Sequence, residues 1–90
     1  MSLSIWKFKL EFGKPLVTPG PPRILSVGQQ DGVPYLWATI DPAADPYETK
    51  LLIVGTGHDA APVGWRDFIG TIHGVEGNLV LHVFDEEMPF

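Results

Sequence analysis

The sequence predicts a small all-β domain, and three observations favour this fold class. Nine prolines are spread through the 90 residues and leave little room for a long helix. Apolar and polar residues alternate with the period of two that is typical of strands. The dipeptide Asp31-Gly32 suits a two-residue hairpin turn. We therefore expect one domain over residues 1–90, a six-stranded antiparallel barrel or sandwich built from hairpins.

The first strand is indicated by an alternating segment near the start of the chain. Trp6, Phe8, Leu10 and Phe12 fall on one face of this segment, while lysines and a glutamate fall on the other. The face of this strand that carries the lysines should therefore meet solvent. Residues 14–22 are predicted to form an irregular connection, because the prolines and glycine between positions 18 and 22 favour turns and remove backbone donors.

The second and third strands form the hairpin around Asp31-Gly32 and cover residues 23–30 and 33–40. Pro34 lacks an amide hydrogen, so we expect its flank to be the edge or the end of a sheet. Small residues should face large aromatic residues across this hairpin. The expected cross-strand pairs are Val27 with Leu36, Leu25 with Ala38, Ser26 with Trp37, and Gly28 with Tyr35.

Three further strands are predicted at residues 48–54, 68–73 and 79–84, with the last two forming a second hairpin. The run Leu51 to Val54 is apolar without alternation, which predicts a central strand with both faces covered. A proline-containing linker with room for one short turn precedes it at residues 41–46. A loop of about a dozen residues follows it, and loops of that length are often functional.

Composition excludes some function classes. A formal net charge of -5 gives little attraction toward phosphate backbones, so duplex nucleic acid is not an expected partner. No apolar run approaches the roughly 20 residues that span a bilayer, and no signal peptide is evident, so we expect a soluble cytoplasmic protein with no membrane partner. A domain of this size without cysteine buries limited surface, which favours a homo-oligomer.

The turn Gly55-Thr56-Gly57-His58 is the first candidate site, because it follows the apolar strand directly. Its two glycines allow backbone amides to converge on one point, which is a geometry that binds anions. The threonine and the histidine could add directed hydrogen bonds. The alternative is a glycine bulge that lets the strand leave the sheet and binds nothing.

The three histidines, His58, His73 and His82, allow a second hypothesis, a metal-dependent hydrolase. Pairing of the last hairpin should place Thr71 opposite His82 and His73 on the same face. Polar positions on a partly exposed sheet explain these residues more simply. No threonine or serine occupies a recognisable activating motif. We therefore predict no catalytic residue, no bound metal and no cofactor.

Aromatic residues offer a third candidate surface. Tyr35, Trp37 and Trp65 could stack on a base or contact a partner, although we expect Trp37 to pack in the core. Trp65 lies beside Arg66 in the long loop, and an aromatic ring with a guanidinium suits either anion contact or anchoring of the loop. Trp65 and Arg66 join Gly55, Thr56, Gly57 and His58 as the predicted ligand-binding residues.

Several short motifs occur in an order that resembles a family of short uncharacterised proteins encoded by tailed phages and bacterial prophages. They are Trp6-Lys7-Phe8, Gly32-Val33-Pro34, Leu36-Trp37-Ala38, Asp41-Pro42, Gly55-Thr56-Gly57-His58, Ile69-Gly70-Thr71 and His82-Val83-Phe84. The resemblance covers nearly the whole chain but departs from the family pattern at residues 59–67. It implies the Gly-Thr-Gly-His turn as a candidate site and implies no established activity.

Together these observations predict a non-enzymatic phage or prophage accessory protein in the cytoplasm of the host cell. We expect it to form a homo-oligomer and to bind a small anionic ligand or a host protein. One alternative is a structural component of the virion or of its assembly, using edge strands to pair with neighbours. The other alternative is the metal-dependent hydrolase.

Overall fold

A computed structural model describes residues 2–64 and 66–85, and its fold is all-β, as predicted. Eight strands are present rather than six. They are β1 (Ser4–Lys9), β2 (Leu16–Pro19), β3 (Arg23–Gln30), β4 (Val33–Ile40), β5 (Pro46–Thr49), β6 (Leu51–Gly55), β7 (Phe68–Val75) and β8 (Leu79–Asp85). The one helix of the described residues is a single 3-10 turn at Ala61–Val63, and no helix there could span a bilayer.

The strands form three separate antiparallel sheets, and the described strands do not close into a barrel. The first sheet has the order β1-β4-β3, and the second has the order β6-β8-β7. Strands β2 and β5 pair as a two-stranded ribbon. Each three-stranded sheet thus has one inner face, toward the core, and one outer face.

The core lies between the inner faces of the two three-stranded sheets. On β4, Leu36, Ala38 and Ile40 alternate with less buried residues, and all three have at most 1% of their surface exposed. The second sheet contributes apolar residues from β7 and β8, and the segments before and within β2 complete the cluster. These further core residues are Leu10, Leu16, Ile72, Val75, Leu81 and Val83. The sheets are thus held together by aliphatic packing.

The hairpin of β3 and β4 matches the prediction at its turn and along most of its length. Asp31 and Gly32 both have positive φ, 53° and 79°, as a type I′ turn requires. Three of the four expected pairs form, but Ala38 pairs with Ile24 instead of Leu25. A register shift between Ile24 and Ser26 makes Leu25 an extra residue, and Leu25 is 48% exposed.

Pro34 lies where the sheet ends, as predicted. Strand β1 pairs with β4 from Ile40 back to Tyr35, and the amide of Leu10 then donates to the carbonyl of Pro34. Strand β1 ends at Lys9, so Leu10 and Phe12, which were predicted to continue it, lie outside the strand. Leu10 is buried, whereas Phe12 is 61% exposed.

Three predictions about the middle of the chain are wrong. Residues 14–22 contain strand β2, and the strand predicted at residues 48–54 is two strands that separate at Lys50. The run Leu51 to Val54 lies on an edge strand of the second sheet, where β8 is central. Alternate residues of β6 face the core and the outer side, so both faces are apolar without the strand being central.

The two three-stranded sheets approach each other closely where β3 meets β7. A Cβ atom built on Gly70 would lie 2.6 Å from Cγ2 of Val27. The amide of Glu76, in the turn after β7, donates to the carbonyl of Gly32 at 2.9 Å. The two hairpin turns are therefore joined, which fixes the end of the first sheet relative to the second.

Candidate functional site

The predicted Gly-Thr-Gly-His turn is exposed, but its amides are partly used by the chain itself. The amide of Thr56 donates to the carbonyl of Val80 at 2.9 Å, which continues the pairing of β6 with β8. The amide of His58 donates to the carbonyl of Gly55 at 3.0 Å and closes the turn. These two amides are therefore already bonded within the chain and are not free to donate to an anion.

Local structure explains why this turn has glycine at two positions. Gly57 has a φ of 88°, in the left-handed region that side chains disfavour. Gly55 is buried under the ring of His58, and a Cβ atom there would lie 2.8 Å from Nδ1. Both glycines are thus required by the backbone and packing of the turn itself.

A hydrogen-bonded chain of three side chains adjoins the turn. Oγ1 of Thr56 lies 2.7 Å from Nε2 of His82, and Oγ1 of Thr71 lies 3.0 Å from Nδ1 of the same ring. Thr71 lies opposite His82, as predicted. A neutral imidazole donates from one nitrogen and accepts at the other, so both threonines are satisfied in either tautomer. The arrangement ties the end of β6 to β7 and β8.

The sequence did not indicate the link from Thr56 to His82, because 26 residues separate the partners. Their proximity follows from the pairing of β6 with β8, which places Val54 opposite His82. The three histidines do not assemble a ligand set. Within residues 2–64 and 66–85, no group of three His, Cys, Asp or Glu side chains is placed to hold a metal ion.

Arg66 is directed toward its own loop. Its guanidinium donates to the carbonyl of Pro62, and it lies 3.4 Å from the carbonyl of Val63. Its amide also donates to Val63 at 3.0 Å. These contacts fit the role of a loop anchor. Trp65, the other predicted site residue of this loop, lies outside the described residues.

A different set of residues shares the outer face of the first sheet. Lys7 and Lys9 of β1 pair with Trp37 and Tyr35 of β4, and residues that are paired across strands lie on the same face. Arg23 of β3 pairs with Thr39 on this face. We call this surface the basic face; it consists of Lys7, Lys9, Arg23, Tyr35 and Trp37. It carries three of the six basic residues of the chain.

The charge of the basic face is not balanced within its own sheet. Strands β1, β3 and β4 contain no acidic residue, although the chain has 11. The ion pair of Lys14 with Glu11 lies elsewhere. Lys9 and Arg23 are exposed, and neither has a carboxylate partner among residues 2–64 and 66–85. The face is therefore locally cationic on an acidic protein.

The rings of the basic face have defined surroundings. Trp37 is half-buried on this outer face, so the prediction that it packs in the core is wrong. Its ring lies against Gly28, where a Cβ atom would be 3.3 Å from Cζ3. The ring centroid of Tyr35 lies 6.3 Å from that of Trp37. Nζ of Lys7 lies 4.5 Å from the Tyr35 centroid, at cation–π distance.

The outer face of the second sheet carries a cluster of apolar side chains beside Thr71 and His82. Leu52 and Phe68 each lie opposite Phe84, and Val54 is on the same face. The Phe68 and Phe84 rings meet edge to face at 5.5 Å, yet Phe68 is 59% exposed. We call this surface the apolar face; it consists of Leu52, Val54, Phe68 and Phe84.

Comparison with known proteins places the chain in a family. A family model described as "Domain of unknown function (DUF7352)" matches residues 1–89. The chain belongs to this family. Searches of curated proteins and of solved structures returned no match. Membership in DUF7352 assigns no activity to the chain.

Proposed function

We propose that the chain is a binding module without catalytic activity and that it binds an anionic ligand on its basic face. The observation that carries the proposal is the separation of charge between strands: three cations and two aromatic rings share one face whose strands have no carboxylate. A local cationic surface attracts anions even when the net charge of the protein is negative, because exposed charges beyond about 10 Å are screened at 0.1 M salt.

The basic face supports this function better than the Gly-Thr-Gly-His turn. Two amides of that turn are bonded to the chain, and Arg66 is bonded to its own loop. On the basic face, Lys9 and Arg23 have no such engagement among the described residues. Anion binding there would need no rearrangement of the backbone.

Charge-matched variants test the proposal. Lys9→Gln with Arg23→Gln removes two cations from the basic face, whereas Lys14→Gln with Lys50→Gln removes two exposed cations elsewhere. Both double variants have the same net charge. Titration calorimetry with inorganic tripolyphosphate should show roughly 2- to 30-fold weaker binding for the first variant and little change for the second. Equal losses in both variants would place the anion elsewhere.

The proposal includes self-association through the apolar face. Exposed apolar clusters on small domains mark interaction surfaces, and this domain has limited surface of its own to bury. Phe68→Glu should convert the oligomer into a monomer, because it puts a charge into the contact. Phe12→Glu is the control, since Phe12 is 61% exposed and lies outside the second sheet. Size-exclusion chromatography with light scattering measures the mass, and a monomeric wild-type protein would refute this part.

The remaining parts of the function stay predictions. Phage or prophage origin, a place in the host cytoplasm and a host-protein partner depend on the resemblance and on composition. Detection of the chain in purified particles would favour the structural alternative instead. The hydrolase alternative has no supporting ligand set among the described residues.

A further inference from the structure

We infer that the ligand of the basic face is single-stranded nucleic acid, with Trp37 as the surface on which a base stacks. This inference rests on the proposed function and adds the chemical class of the ligand. Proteins that bind single strands without sequence preference combine cations that contact phosphates with aromatic side chains that stack on bases. The basic face has both components on one three-stranded sheet.

Trp37 occupies the middle of this surface. It lies on β4, the central strand, with Lys7 opposite on β1 and Ser26 opposite on β3. The glycine at position 28 gives the indole room against β3, since a Cβ atom there would already be 3.3 Å from the ring. Trp37 remains only half-buried. The indole thus packs against the backbone of β3, while part of the residue stays exposed.

The cations surround this ring at defined positions. Lys7 is held between Gln30, whose Oε1 accepts at 2.7 Å, and the ring of Tyr35. Lys9 and Arg23 occupy opposite corners, because Lys9 pairs at Tyr35 and Arg23 pairs at Thr39. These corners are four residues apart along the strands and two strand spacings apart across the sheet. The distance between their backbone positions is therefore about 16 Å.

That separation favours an extended anion over a single phosphate group. A ligand that contacts both corners and covers Trp37 between them must carry several charges along its length and a planar ring between them. A single strand of nucleic acid has this composition. A duplex does not present it, because its bases are stacked inside and are reached only after they leave the stack.

Fluorescence anisotropy with a labelled oligothymidylate of 15 nucleotides tests the inference on the full chain. Three cations on single-stranded DNA predict a slope near about −2 when the logarithm of the binding constant is plotted against the logarithm of salt concentration. Lys9→Gln with Arg23→Gln should reduce the slope to about −0.7. Lys14→Gln with Lys50→Gln should leave it unchanged.

The stacking component is tested separately. Trp37→Leu should weaken oligothymidylate binding roughly 5- to 140-fold without changing the salt slope. Trp37→Phe keeps an aromatic ring and should recover much of the loss. Trp37→Phe also provides the test of stacking if circular dichroism shows that the leucine variant does not fold. A duplex of the same length should bind more weakly than the single strand.

The outcomes separate the two proposals. If tripolyphosphate binding depends on the basic face but oligothymidylate binds no better than polyphosphate of equal charge, the inference is overturned and the proposed function stands. If polyglutamate competes as well as oligothymidylate, the ligand is an acidic protein segment, and the inference is again wrong. If neither tripolyphosphate nor oligothymidylate binds, both proposals are refuted.

Discussion

The close approach of β7 to β3 at Gly70 predicts that Gly70→Ala destabilises the wild-type protein but stabilises a Val27→Ala variant. Gly70 does not have a left-handed backbone, so alanine fits its conformation. An added methyl would nevertheless lie 2.6 Å from Cγ2 of Val27, closer than real Cβ atoms come to a neighbour. Val27 cannot move away easily, because a β-branched side chain is restricted in χ1. Gly70→Ala should therefore force the two sheets apart locally.

The magnitude follows from two opposing terms. Overpacking of a filled site costs about 1–3 kcal/mol. Replacing glycine in a strand by alanine contributes about 0.5–1 kcal/mol in the stabilising direction, since the unfolded chain loses freedom. Gly70→Ala alone should thus lower the free energy of unfolding by up to about 2.5 kcal/mol. In a Val27→Ala background the clash is absent, and the same change should raise it by about 0.5–1 kcal/mol.

Urea unfolding of the four proteins in this cycle, followed by circular dichroism, gives both effects and their coupling. Thermal unfolding offers a check, because about 1 kcal/mol corresponds to roughly 4–8 °C in a domain of this size. The coupling between positions 27 and 70 should be about 1–3 kcal/mol. Equal effects of Gly70→Ala in both backgrounds would refute the contact between the two sheets.

Three further substitutions test other parts of the fold. Leu36→Ala should cost about 2–5 kcal/mol in urea unfolding, because Leu36 is fully buried between the sheets, and a loss below 1 kcal/mol would contradict its core position. Gly32→Ala should cost about 1–2 kcal/mol, since its φ is 79°; unchanged stability would argue against the type I′ turn. Thr56→Val should cost about 0.5 kcal/mol, at the low end for a hydrogen bond because Thr56 is exposed, and the His82 ring signals in NMR should shift. Unshifted ring signals would mean that the bond from Thr56 to His82 is absent in solution.

Local sequence signals predicted the parts of the fold that depend on neighbouring residues. Asp31-Gly32 requires positive φ at both positions, and this requirement fixed the turn, both strands of the hairpin and the pairing of Val27 with Leu36. The alternation in the first strand likewise placed its lysines on one face. The prediction failed at Leu25, because Ile24 and Leu25 are both apolar and the pattern alone does not show which of the two faces the core.

The candidate site could not be predicted correctly, because it depends on contacts between residues that are far apart in the sequence. The amides of the Gly-Thr-Gly-His turn looked available until the pairing of β6 with β8 supplied a carbonyl for Thr56. The basic face was hidden for a related reason. Its cations come from two strands separated by a connection that contains β2, and they are outnumbered in the net charge of -5. Only the order β1-β4-β3 brings them to one surface.

Binding on the basic face is tested most directly by mapping the bound ligand onto the chain by amide NMR. Titration of isotopically labelled protein with oligothymidylate should shift the amide signals of β1, β3 and β4, with the largest changes around Trp37 and its neighbours on the basic face. Shifts confined to residues 55–58 and Arg66 would contradict binding on the basic face and would place the site at the Gly-Thr-Gly-His turn.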